Sequence, residues 1–139
     1  MSATLLAGIS RTTEPQTMLR RFLTLDAVVT GLNGLAYAAA SGPLGRLLGV
    51  DAALLLEVGV FLALFGVGVG YLAARSRPPQ LPVKLVIDAN LLWAVVSVVA
   101  LALWFDPTTA GVVWIPLQAM TVAGFAALQW SALRAATTP

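Results

Sequence analysis

The fold class that this chain predicts is all-α, a four-helix transmembrane bundle threaded up-down-up-down with both termini cytoplasmic. Three observations predict it. Of 139 residues, 59% are hydrophobic and only 10% charged, with a mean hydropathy of +0.90, where a soluble domain is nearer ~45–50% apolar. Four apolar segments, at about 20–40, 52–74, 84–105 and 109–133, are each long enough at ~1.5 Å per residue to cross a ~30 Å hydrocarbon layer. Finally, Arg11, Arg20, Arg21, Arg75, Arg77, Lys84 and Arg134 fall on one side of such a bundle and only Arg46 on the other. Cytoplasmic connections carry that Lys/Arg excess.

Residues 1–17 are small and polar, carry no sustained hydrophobic period, and predict a flexible cytoplasmic tail. Met18 offers an alternative start of translation. From residue 18 to 134 the chain reads as a single four-span membrane domain, followed by a short tail over 135–139. The first span opens with Arg20 and Arg21. Its apolar run exceeds the ~7–15 residues of a signal-peptide core and contains an aspartate, which predicts a retained span rather than a cleaved leader. Gly42, Pro43, Gly45 and Gly49 then mark a turn into a short amphipathic piece at the surface.

In the second span Gly59, Gly66 and Gly70 recur at spacings of seven and four. These make one smooth stripe that lets another helix approach closely, within the bundle or on a second copy. Residues 75–83, with two arginines and three prolines, predict a stiff solvated linker. The third span begins at Lys84. The fourth contains Pro116, which should bend it or mark its true start. Trp104 and Trp114 near the outer ends of these spans, and Tyr71 and Trp130 near inner ends, follow the interfacial preference of such rings; Trp93, inside the third span, does not. Leu25-Asp26-Ala27 behind Arg21 and Ile87-Asp88-Ala89 behind Lys84, each followed at similar distance by a proline, Pro43 or Pro107, also fit a parallel internal repeat.

Several function classes drop out. There is no cysteine or histidine, which removes disulfides, thiol redox chemistry and thiolate or imidazole metal sites, so no metal and no cofactor is expected. A net charge of +2, with the basic residues spread along segment ends, leaves no electrostatic footprint for nucleic acid. Neither a GxSxG elbow nor a P-loop occurs, and no loop is long enough to build a pocket in water, so no catalytic residue is expected.

The polar residues at membrane depth are therefore the informative ones. Asp26, Thr30 and Asn33 lie on one face of the first span. Asp26 and Asp88 stand near the cytoplasmic ends of their spans, either as helix-start charges pairing with Arg20, Arg21 or Lys84 or as a proton or cation entry pair. Glu57 has only Arg46 near it, which leaves pairing with that arginine or with a carboxamide, or proton coupling, as alternatives. Asn33, Asn90, Ser97, Gln118, Thr121 and Gln129 fit a central network that either fixes helix register or lines a small polar cavity. Asp26, Asn33, Glu57, Asp88, Asn90, Gln118 and Gln129 are the candidate polar-interior, ligand or proton-site residues.

With Asp26, Thr30, Gly31, Gly34 and Leu35, then Gly42-Pro43-Leu44, and Asn90, Leu92 and Trp93, residues 18–133 resemble uncharacterised small bacterial four-span membrane proteins, and in layout the DoxX-like four-helix proteins. The resemblance implies a bundle in the bacterial inner membrane and carries no reaction with it. The functional expectation is a non-catalytic accessory or scaffold subunit whose partners are the lipid bilayer and a membrane protein or a second copy. The alternative is a small oligomeric transporter or channel using the intramembrane carboxylates and amides; a membrane enzyme acting on a lipid or quinone ranks last.

Overall fold

A computed structural model describes the backbone of residues 2–103 and 106–137, with side chains from residue 15 onward. Five helices follow one another: α1 (Ser2–Ala39), α2 (Ser41–Leu48), α3 (Ala52–Ala74), α4 (Gln80–Leu103) and α5 (Thr109–Thr137). No strand occurs among the described residues. Four stretches are long and apolar enough to cross a membrane: Pro15–Ala39, Ala52–Ala74, Gln80–Leu103 and Thr109–Thr137. The chain is thus a multi-pass membrane protein. Only 22 to 28% of each span is buried within the protein, so most of each helix is left to face lipid.

The boundaries differ from expectation at three places. Residues 2–17, expected as a tail, continue α1. Once a long helix exists, each added residue gains a backbone hydrogen bond without a new nucleation cost, so no apolar period is needed for it to propagate. Helix α4 starts at Gln80, directly after Pro78 and Pro79, and takes Pro82 into its first turn, where a proline removes no bonded N–H. Pro116 lies inside α5, not at its start. Trp104, expected at the outer end of the third span, lies outside the described residues.

Helix α1 packs along α3 and also on α5; α4 packs on α5, while α3 and α4 barely touch. The α1–α3 seam is built from small residues. A Cβ added to Gly34 would stand 2.5 Å from the Ala63 nitrogen and 2.7 Å from the Gly59 oxygen, and one on Gly59 would stand 2.5 Å from the Ala38 nitrogen. No other residue fits there, so the two backbones meet directly. Gly66 comes comparably close to Gly31, and Gly70 faces Ala27 at ordinary contact distance. The stripe Gly59, Gly66, Gly70 therefore lies against α1 of the same chain.

The helix ends are tied off by polar groups. Arg20 Nε donates to the Ala73 carbonyl at 3.0 Å, placing a cation at the negative end of α3. Asp51 caps the start of α3 by accepting from the Leu54 N–H. Gly49 closes α2 in the left-handed region, φ 73°, which glycine enters without steric cost. The Thr108 hydroxyl donates to the Leu47 carbonyl, docking the start of α5 on the end of α2. Two apolar clusters result. One lies near Arg20, around Leu19, Leu23, Val69 and Val83; the other lies at the α2 end, around Tyr37, Leu48, Leu55 and Leu62.

A candidate intramembrane binding site

The site begins with one carboxylate. Asp26 is fully buried, six residues beyond Arg20 and so roughly 9 Å deeper along the helix. Its Oδ1 accepts from the Thr30 hydroxyl, one turn on, at 2.8 Å. Its Oδ2 accepts from Asn90 Nδ2 of α4 at 2.8 Å and from Gln129 Nε2 of α5 at 2.7 Å. Asn90 Nδ2 also donates to Gln129 Oε1 at 3.2 Å. Three polar side chains converge on the Asp26 carboxyl oxygens. A hydrogen bond contributes about 1 kcal/mol net, so this cluster ties α1, α4 and α5 together.

The expected pairing of Asp26 with a basic residue does not form. Arg20 turns to the Ala73 carbonyl, and Arg21 and Lys84 are exposed. No ion pair reaches Asp26 among the described residues. The reason is rotational. At about 100° per residue, Arg20 and Arg21 project some 120–140° away from Asp26 around α1.

Above this cluster is a cavity of about 570 Å³ bounded by α1, α3, α4 and α5. Thr30 and Asn90 line it as well as binding Asp26, and Asn33, Gln118 and Thr121 add polar groups. The rest of the wall is apolar and aromatic. Leu32, Phe61, Leu92 and Leu117 belong to it and are each more than half exposed on the outside of the bundle. It therefore opens through the side of the molecule, near mid-span, where the surroundings are hydrocarbon. Phe61 stacks on Phe65 of its own helix at 6.1 Å and on Trp93 of α4 at 6.2 Å, with interplanar angles of 23° and 24°. The Phe61–Trp93 stack thus bridges α3 and α4 at mid-span, where the two helices otherwise make little contact.

Of the seven polar candidates, the structure gathers Asp26, Asn90 and Gln129 into the cluster and places Asn33 and Gln118 on the cavity wall. Glu57 and Asp88 do not join them; both are exposed. Asp88 is two residues before Asn90, hence about 200° away around α4. Asn33 has no hydrogen-bond partner among the described residues, an unusual state for an amide at this depth. Gln118 accepts from Trp93 Nε1 at 3.1 Å and donates to the Ile115 carbonyl at 3.0 Å.

Sequence reasoning placed Thr30 on the face of Asp26 and marked Trp93 as a ring inside its span, but it did not single out Phe61 or the Tyr37–Trp114 contact, in which Trp114 Nε1 donates to the Tyr37 hydroxyl at 2.5 Å. Phe61 resembles any lipid-facing ring. No group of three or more acidic side chains suited to a metal ion occurs among the described residues.

No family model, curated protein or solved structure matches the chain.

Proposed function

We propose that this is a non-catalytic membrane protein that takes a small lipophilic molecule from the bilayer and holds it between its four long helices. The observation that carries the reading is the side-opening cavity of about 570 Å³, within the ~300–1,000 Å³ of ordinary small-molecule sites. Its mixture of aromatic walls and a few convergent polar groups also fits such a site, and Asn33 offers a carboxamide that no group among the described residues engages. A carrier or an accessory subunit that presents a ligand to a partner both fit this role. The charge bias of the connections supports cytoplasmic termini, and the resemblance of the sequence to small bacterial four-span proteins, DoxX-like in layout, is the ground for proposing a bacterial inner membrane. Because the protein has no cysteine, single cysteines at Ser76 and Ser41 report orientation directly: the first should be labelled from the cytoplasm and the second from outside.

The binding role is tested by native mass spectrometry of protein released gently from its membrane. A bound molecule of a few hundred daltons is expected on wild type and should be lost in Ala89→Phe, which fills the cavity wall. Wild type and variant both emerging bare, with no lipophilic probe quenching Trp93 and Trp114, would sink the reading.

A further inference from the structure

We infer that the ligand of this cavity is a lipophilic amine, held as its ammonium with the N–H groups turned to the wall and the apolar body against the aromatic rings. This rests on the binding role proposed above and assigns its ligand class.

The argument is one of hydrogen-bond inventory. Most donors on the wall are already committed within the protein, those of Asn33 and one of Gln118 excepted. The Thr30 hydroxyl goes to Asp26. Both N–H groups of Asn90 go to Asp26 and Gln129. The Thr121 hydroxyl goes to the Leu117 carbonyl, and the Trp93 and Trp114 indoles go to Gln118 and Tyr37. What is left free is a set of acceptors. Asn90 is 4% exposed and lines the cavity, yet its Oδ1 takes no hydrogen bond among the described residues; Thr30 Oγ1, Thr121 Oγ1 and the second lone pair of Gln118 Oε1 remain as well. Only Asn33 and one N–H of Gln118 keep donors. A wall of acceptors selects a molecule that brings its own N–H or O–H groups.

Charge then separates amines from alcohols. Asp26 meets no cation among the described residues, and it stands directly behind Thr30 and Asn90, one hydrogen bond from the cavity. A cation in the cavity would stabilise the charged form of that carboxyl across a few ångströms of low dielectric, and a carboxylate there would oppose it. Phe61, Phe65, Trp93 and Trp114 line the wall, and an aromatic ring adds attraction for an ammonium held over its face within about 6 Å. A bound ammonium would stand one hydrogen-bonded residue away from Asp26, as a counter-charge that no described residue provides.

The test uses the full chain in phosphatidylcholine nanodiscs, with empty discs as the partition control and tryptophan fluorescence as the readout. Three probes share one skeleton: 4-phenylbutylamine, 4-phenylbutanol and 4-phenylbutyltrimethylammonium. The amine should bind at least tenfold more tightly than the alcohol, and more tightly than the quaternary ion, which lacks N–H donors. Asp26→Asn should abolish the preference for the amine. Because that change also weakens a strut between three helices, Thr30→Val serves as a shape-preserving second variant and should reduce the preference to under threefold. Alcohol and amine binding equally to wild type would overturn the ligand class while leaving the binding role intact. No saturable response to any of the three would overturn both.

Discussion

The two flanks of α3 are made from the same apolar alphabet and behave in opposite ways. On one flank Gly59 and Gly66 meet α1 backbone to backbone, with no room for a single added carbon. On the other, Phe61 and Phe65 hold α4 off and leave a cavity. Lipid supplies no hydrophobic drive between helices, so association relies on close packing and hydrogen bonds. Small residues therefore make a seam and large rings make a gap. Both are needed, since a bundle tight on every side has nowhere to hold a molecule, and one loose on every side has nothing to hold its shape.

The contrast is easiest to break at the seam. Gly59→Val should force the α1 and α3 backbones apart and lower stability by about 3 kcal/mol or more, read as a large fall in the thermal midpoint in detergent or as loss of folded protein. Gly68→Ala, on the same helix with open space around it, should leave the midpoint unchanged; an equal loss there would deny the seam its special role. Next in size is the strut beneath the cavity. Asn90→Leu leaves Asp26 and Gln129 short of partners and should destabilise by about 2 kcal/mol. Asp88→Ala, two residues away and exposed, should stay within about 0.5 kcal/mol.

Smaller effects lie at the loose flank. Phe61→Ala removes one ring of the α3–α4 bridge, which contributes about 0.5–1.5 kcal/mol, so stability should fall little while ligand exchange quickens. Stopped-flow quenching of Trp93 and Trp114 would measure it, and an unchanged dissociation rate would show that the stack does not gate the cavity. A further small change is expected in Arg20→Leu, which loses one part-buried cap on Ala73 and should cost about 1 kcal/mol or less by thermal melting.

Asp26 and Asp88 show where local pattern stops being informative. Each follows an apolar residue and precedes an alanine just behind a basic group, and by sequence they are twins. In the folded chain Asp26 is fully buried under three hydrogen bonds and Asp88 is exposed. The immediate pattern of basic group, apolar residue, aspartate and alanine does not distinguish them. The difference arises because α1 sits between α3 and α5, so its polar face turns inward, whereas α4 touches chiefly α5 and presents Asn90 rather than Asp88 to the interior.

Hydropathy and length alone determined that four helices of this chain suit a membrane, that short connections make them alternate in direction, and that the glycines of α3 form one smooth face. These are properties of a single helix in its solvent, and helical period and transfer free energy settle them residue by residue. Which partner the glycine face meets, which aspartate is buried, and that four helices leave a cavity with most of its donors already bonded within the protein were decided only by tertiary structure. Those outcomes depend on how several helices rotate against one another, and a rotation of half a turn exchanges the inside and outside of a span without changing one residue of its composition.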